Sequence, residues 1–256
     1  MSSQKNIAVI FAGGIGKRMG AEVPKQFLKV YKREIIVHTI EKFQYHPEID
    51  EIYIGCVKEY IPFLKNLIEK YNLNKVRMDG IVNGGETGQD TIYNILNCVS
   101  KRHNDDAIVL IHDGVRPLID DDLITRNIAD TKKYGSSITA TPCFETPIIS
   151  HDGMSVSEVL PRNTVYTAKA PQCFRLGDIL KAHSIVRESE LGYNNPMIVD
   201  SCSLMKYIGK EVHITEGNRG NIKVTTAEDY INLLANLSVE DQQQAFMLKN
   251  GEYKSE

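Results

Sequence analysis

Apolar positions follow two rhythms along the chain. Short β-branched runs predict strands: IAVIF at 7–11, EIYIGCV at 51–57, KVRMDGIV at 75–82, AIVLIH at 107–112 and SSITATP at 136–142. Between them, at 35–45, 59–71, 87–101 and 121–133, apolar residues recur at spacings of three and four, as Phe63, Leu67 and Ile68 do, and predict helices. This alternation is that of βαβ units. It predicts an α/β fold of three layers, α/β/α, with a mostly parallel sheet covered on both faces. Right-handed crossovers then bring the carboxyl ends of the strands to one edge, where open α/β sheets bind ligands.

After Pro142 the rhythm breaks. Two short extended runs flank the turn signal His151-Asp152-Gly153 and predict a β-hairpin arm, at about 143–170, that leaves the sheet. Helices are expected again at 176–188 and 198–207, and a strand at 211–215. NIKVTTAEDYINLLANL then predicts a strand and a helix capped by Thr225 or Thr226, with Glu228 and Asp229 in its positive first turn. Residues 238–256 are polar and read as an appendage to a domain spanning 1–237. There are no internal repeats.

Composition narrows the function classes. With 256 residues, 42% hydrophobic, the chain can bury a substantial core, and its net charge of −3 gives no general attraction to nucleic acid or to an anionic membrane. An anion site must therefore be local. The five cysteines are odd in number and never spaced as CxxC, so they suggest neither a disulfide framework nor a zinc ribbon. No stretch approaches the roughly 18 apolar residues of a membrane span, and no apolar leader opens the chain. A cytoplasmic protein is expected.

The first chemical signal is FAGGIGKRMGAEVPK at 11–25, directly after the first strand. Glycines there let backbone N–H groups approach an anion. The G-x-G-x-x-G fingerprint fails on spacing at Gly20, and a Walker loop fails because Arg18 follows Lys17 where Ser or Thr is required. Lys17, Arg18 and Lys25 singly would be solvated loop cations; three in one glycine turn point to a triphosphate. The second signal is HDGVRP at 112–117. Asp113 can hold a metal or hydroxyl there and Arg116 a phosphate, or the two can pair with each other. His112 reads as a strand-end histidine, since no nucleophile accompanies it. The third is NIKVTT at 221–226, whose Lys223 on its own reads equally as a surface lysine.

Six motifs occur in order: the turn Ala12-Gly13-Gly14-Ile15-Gly16-Lys17-Arg18-Met19-Gly20, Pro24-Lys25-Gln26-Phe27, Gly84-Gly85, His112-Asp113-Gly114-Val115-Arg116-Pro117, Pro171-Gln172-Cys173-Phe174 and Asn221-Ile222-Lys223-Val224-Thr225. Over about residues 6–237 the chain resembles the polyol-phosphate cytidylyltransferases, which act on methylerythritol 4-phosphate or ribitol 5-phosphate. The resemblance implies a Rossmann-like nucleotidyltransferase domain with a protruding arm. It also implies the reaction: an acceptor phosphate attacks the α-phosphorus of CTP, with Mg²⁺ or another divalent cation, and pyrophosphate leaves. Arg18, Lys25 and Lys223 would carry the chemistry. Ala12, Gly13, Gly14, Ile15, Gly16, Lys17 and Arg18 would hold the triphosphate, Gly84, Gly85 and Thr91 would face cytosine, and Asp113 would contact CTP, the acceptor or Mg²⁺. Asp113, Arg116 and Thr225 would meet the acceptor, joined by Thr146 and Arg162 from a partner's arm, so a homodimer is implied, with no nucleic-acid or membrane partner.

Three positions depart from the family pattern: Gly88 stands in place of an arginine, Ala170 of a threonine and Glu145 of an aspartate. The cations around CTP are unaffected, so these changes bear on the acceptor, and Gly88 also on the preference for cytosine. Leu160-Pro161-Arg162-Asn163 with Tyr166 resembles the ribitol 5-phosphate branch, whose product CDP-ribitol supplies a surface polymer such as teichoic acid or capsule. The alternative acceptor is 2-C-methylerythritol 4-phosphate, an isoprenoid precursor. A nicotinamide-dependent dehydrogenase would need the fingerprint that is missing. A non-catalytic nucleotide-binding module would follow if the departures disabled the site, and the retention of Arg18, Lys25, Asp113 and Lys223 speaks against it.

Overall fold

A computed structural model describes residues 4–14 and 23–245, with side chains to 238. The elements in chain order are β1 (Asn6–Ala12), a 3-10 turn (Lys25–Phe27), β2 (Lys29–Val30), β3 (Arg33–Glu34), α1 (Ile35–Tyr45), β4 (Glu51–Cys56), α2 (Ile61–Lys70), β5 (Val76–Asn83) and α3 (Gly88–Ser100). There follow β6 (Ile108–Asp113), α4 (Asp121–Tyr134), β7 (Ser136–Pro142), β8 (Ile148–Ile149), β9 (Glu158–Val159), β10 (Tyr166–Arg175), α5 (Leu176–Glu188), α6 (Ser201–Tyr207), β11 (Ile214–Glu216) and α7 (Ala227–Ala245). The main sheet has seven strands in the order β11-β7-β10-β6-β1-β4-β5. β1 lies parallel between β4 and β6, and β10 runs antiparallel to both β6 and β7.

The continuous apolar runs are explained by burial on both faces. Ala8 and Ile10 of β1 pack into one core with α1, α2 and α4, through residues such as Ile40, Leu67 and Ile124. Ile7 and Val9 point the other way, into a core with α3, α5 and α6, through Ile95, Ile179 and Leu204. Each fully buried Ile or Leu contributes roughly 1.5–3 kcal/mol. A third cluster, Val30, Ile35, Val115, Val224 and Leu233, ties the start of α7 to the loop after β6. It matters for the site, because it anchors the backbone beside Lys223.

The structure corrects the expected elements in three places. The end of the expected arm, from Tyr166, belongs to β10 in the middle of the main sheet: Tyr166–Ala168 pair with β7 and Gln172–Arg175 with β6, so the projecting part of the arm is 143–165 and not 143–170. Its hairpin is short, with Ile148 opposite Val159 and the turn held by the Asp152 carboxylate, which accepts from the backbone of Met154 and Ser155. The strand expected at 221–225 is absent: the segment is irregular, attached by Val224 N–H to the Val115 carbonyl at 3.0 Å. α6 starts at Ser201, not 198, because Asp200 caps it through Ser203 N–H at 2.8 Å. Thr226 caps α7, while Asp229 accepts from Thr225 and Thr226, and the helix continues through 238 to Ala245. No helix among the described residues is long and apolar enough to cross a membrane. All five cysteines are free thiols.

Two buried histidines make stability depend on pH. Burial pushes His112 down to about 4 and His183 to about 3. In the unfolded chain both would titrate near 6.5, so below that pH the unfolded state binds protons that the folded state refuses. Stability is therefore full above about pH 6.5 and falls as pH drops towards the folded values, by roughly 2 kcal/mol per histidine at about pH 5. The expected result is a melting temperature that falls between pH 7 and 5, and falls less steeply in His183→Gln. An unchanged slope in that variant would contradict the assignment.

Candidate active site

Ala12–Gly14 leave β1 at the carboxyl edge of the sheet, and a buried amide holds their carbonyls. Gln26 Nε2 donates to the carbonyls of Ala12 at 2.7 Å and Gly14 at 3.0 Å, which sets Lys25 against the turn. Two glycine segments meet closely here. A Cβ on Gly84 would lie 3.2 Å from the Gly13 Cα, and one on Gly13 would lie 2.6 Å from Thr91 Oγ1, so neither position accepts a larger residue without movement. Thr91 is buried beneath the second turn: its hydroxyl accepts from Gly85 N–H at 2.9 Å and donates to the Thr87 carbonyl at 3.0 Å. It shapes the turn instead of presenting a free hydroxyl.

At the end of β6, Asp113 is 5% exposed and carries two cations. Lys223 Nζ lies 2.5 Å from Oδ1 and Arg116 Nε 2.7 Å from Oδ2. Although burial pushes the Asp113 carboxyl up, the charges of Lys223 and Arg116 hold it below the usual carboxylate range. The carboxylate is thus ionised and the trio carries a net positive charge. Arg116 Nη1 also donates to the Asn221 carbonyl at 3.0 Å, and Asn221 Nδ2 donates to the Ala170 carbonyl, joining the 221–225 segment to β10. Of the two readings of HDGVRP, the structure shows the Asp113–Arg116 pairing, and Lys223 joins it.

Two cavities open onto this edge. One, of about 310 Å³, is lined by Ala12, Gly13, Gly14, Lys25, Gly85 and Glu86 among others. The second, of about 420 Å³, extends over Arg116, Lys169, Gln172 and Asp200 towards α3 and α6. Phe11, Thr87, Gly88, Asp113 and Lys223 line both, so the Asp113–Lys223 pair stands at their junction, with Arg116 on the side of the second. Gly84 and Thr225 line neither cavity: Gly84 packs against Gly13, and Thr225 is bonded to Asp229. Thr146 and Arg162 are exposed on the arm and line neither cavity of their own chain. Ile15, Gly16, Lys17 and Arg18 lie outside the described residues.

Three contributors escaped the sequence reading. Gln26 and Gln172 sat inside recognised motifs without a role, and their amides turn out to be buried braces. Lys169 was not singled out; its Nζ lies 3.2–3.4 Å from the carbonyls of Asn218, Arg219 and Asn221, and burial together with Arg116 and Arg219 lowers its pKa. Its only signal in sequence was its place two residues before Pro171. His112 behaves as expected of a buried strand-end histidine, with Nε2 against the Arg116 carbonyl at 3.1 Å.

The chain is 42% identical to a ribitol-5-phosphate cytidylyltransferase of Streptococcus agalactiae serotype Ia, over 94% of this chain and 99% of the relative. It is 37% identical to a 2-C-methyl-D-erythritol 4-phosphate cytidylyltransferase of Clostridium botulinum strain Okra, over 89% and 95%. A solved structure, 4-diphosphocytidyl-2C-methyl-D-erythritol synthase from Anaerococcus prevotii, superposes with a TM-score of 0.77 at 29% identity, covering 92% of this chain and 96% of that one. The family model described as IspD, 2-C-methyl-D-erythritol 4-phosphate cytidylyltransferase, matches residues 6–239. By the match of this family over residues 6–239 and these identities over nearly the whole chain, the chain belongs to the IspD family of cytidylyltransferases, which are nucleotidyltransferases.

Proposed function

We propose that this protein transfers the cytidylyl group of CTP to ribitol 5-phosphate, giving CDP-ribitol and pyrophosphate. The observation that carries the reading is the Asp113–Lys223 pair at the junction of two cavities, one under a glycine turn with Lys25 and one beyond it on the side of Arg116. CTP occupies the first cavity, with its base against the Gly13 and Gly84-Gly85 turns and its triphosphate along Ala12–Gly14 and on to Lys17 and Arg18. The acceptor phosphate enters from the second, beside Arg116. At neutral pH a phosphate monoester is largely dianionic, its second pKa being near 6, so no base is needed to activate it. One of its oxygens attacks the α-phosphorus in line, a new P–O bond forms, and the bond to the bridging oxygen of the pyrophosphate breaks. Negative charge builds on the five-coordinate α-phosphate, where Lys25 and Lys223 meet it; Asp113 keeps Lys223 in place before the substrate arrives.

Magnesium fits these residues as a passenger of the nucleotide. Among the described residues no group of three His, Cys, Asp or Glu is arranged to hold a metal, whereas Asp113 keeps a lone pair on each oxygen beyond those used by Lys223 and Arg116. Asp113 would therefore be one ligand, with triphosphate oxygens supplying most of the rest. When bound, Mg²⁺ neutralises charge on the triphosphate and on the departing pyrophosphate. Because CTP is a cytoplasmic nucleotide, the reaction belongs in the cytoplasm.

Ribitol 5-phosphate is favoured as acceptor by the 42% identity to the streptococcal relative, against 37% to the clostridial one. The homodimer is supported by the arm, which carries exposed apolar side chains, Met154 at 90% and Val159 at 60% among them, and holds Thr146 and Arg162 away from its own cavities. Pyrophosphate release with CTP is expected to be fastest with ribitol 5-phosphate and at least about tenfold slower with 2-C-methylerythritol 4-phosphate. The reverse order would replace the acceptor, and no turnover with any polyol phosphate would overturn the transferase reading.

A further inference from the structure

The loop 217–222, between β11 and Lys223, is fastened to the body of the domain from several sides. Lys169 Nζ donates to the carbonyls of Asn218, Arg219 and Asn221 at 3.2–3.4 Å, and Arg116 Nη1 to that of Asn221 at 3.0 Å. Gly217 N–H donates to the Ala140 carbonyl at 2.8 Å, Asn218 Nδ2 to the Asp120 carboxylate, and Asn221 Nδ2 to the Ala170 carbonyl at 2.6 Å. Arg219 stands on this fixed loop and turns towards the arm. Its guanidinium carbon lies 3.9 Å from the centroid of the Phe144 ring. The Phe144 carbonyl in turn accepts from Arg162 Nη1 at 3.0 Å, and Cys143 N–H on the Val165 carbonyl, at 2.9 Å, closes the arm's base. A line of contacts thus runs from the body through Arg219 and Phe144 to Arg162.

We propose that Arg219 is a positioning residue that fixes the base of its own chain's arm and so aims Arg162 at the partner's site. The proposal rests on the reading of a dimer with shared sites. Phe144 is 47% exposed, so burial alone does not hold its ring, whereas a cation over the ring face does. Arginine suits this place, because a flat guanidinium stacks on a ring, and Arg219 forms no ion pair among the described residues that would draw it away. Thr146 follows Phe144 by two residues, so one contact places both arm residues assigned to the acceptor. Arg219 lines neither cavity, and its effect on the acceptor therefore passes through the arm. The competing route runs within one chain: the charge of Arg219 is also felt by Lys169, which lines the second cavity. The two routes differ in which subunit's site they serve.

The test uses hybrid dimers of Lys25→Ala and Arg162→Ala chains, in which the single working site takes its body from the Arg162→Ala chain and its arm from the Lys25→Ala chain. Arg219→Ala is added to one chain or the other. Pyrophosphate release is then followed with CTP and the polyol phosphate that the wild type uses best. On the chain that gives the arm, Arg219→Ala is expected to raise KM for the acceptor about two- to fivefold, the worth of an exposed cation–π contact, with KM for CTP unchanged. On the chain that gives the body it should change neither. Arg219→Lys, which keeps a cation for the ring, should restore most of the loss, and Phe144→Leu on the arm's chain should match Arg219→Ala without adding to it. A rise with Arg219→Ala on the body's chain would overturn the proposal and assign Arg219 to its own chain's site. No rise on either chain, or effects of Arg219→Ala and Phe144→Leu that add, would equally overturn it, and all of these leave the shared site standing. Failure of the two parent chains to recover activity despite subunit exchange would remove the shared site and this role with it.

Discussion

Lys223→Ala is expected to lower kcat by roughly 10²–10⁴-fold, with a much smaller change in KM for CTP. The argument runs from charge. In the ground state the α-phosphate already carries negative charge, but attack adds more at the same place, so a fixed cation there is worth most in the transition state. Two features fix this lysine: its 2.5 Å contact with Asp113 and the burial of the next residue, Val224, among Val115, Val30 and Leu233. A positioned charge needs no reorganisation when the reaction occurs, which is where such electrostatic stabilisation comes from. Lys25→Ala should behave alike, since Lys25 lines the cavity proposed for the nucleotide, beside the Gln26 brace. Single-turnover pyrophosphate release separates chemistry from binding, and a melting curve shows whether either variant is misfolded. Near-normal kcat in both variants would refute the assignment.

The second large effect is a recovery. Lys25→Ala and Arg162→Ala proteins should each be almost inactive, yet mixing them should restore activity. In a hybrid dimer one site keeps Lys25 on its own body and receives an intact Arg162 from the other chain's arm, while the second site has neither. With random pairing half of the dimers are hybrids, so roughly a quarter of the wild-type sites should return. The arm's geometry motivates this: Arg162 Nη1 donates to the Phe144 carbonyl at 3.0 Å, which stiffens the arm's base, and neither Arg162 nor Thr146 lines a cavity in its own chain. Recovery should scale with the hybrid fraction measured by mass. No recovery despite demonstrated subunit exchange would show that each site is complete within one chain.

Much of the fold was legible because its determinants are local. The apolar run of β1 and the three-and-four spacing of α1 each report their own geometry, and α1 at 35–45 and α5 at 176–188 fall where the periodicity put them. The first residues of β10, 166–170, were read as arm because they follow the hairpin directly and because an antiparallel strand between β6 and β7 interrupts the parallel alternation. The irregular 221–225 segment was misread because its apolar residues are buried by a helix end and a loop, without any strand partner.

The alternation of strands and helices and the edge of the sheet where β1 and β6 end could be read from residue order, since these depend on near neighbours and on residue type. The packed fold was needed to bring Lys223 against Asp113 across more than a hundred residues and to set Gln26 against the carbonyls of Ala12 and Gly14. Those pairings are set by how layers pack and where a buried polar atom can find a partner. Such distances in space have no counterpart in distance along the chain.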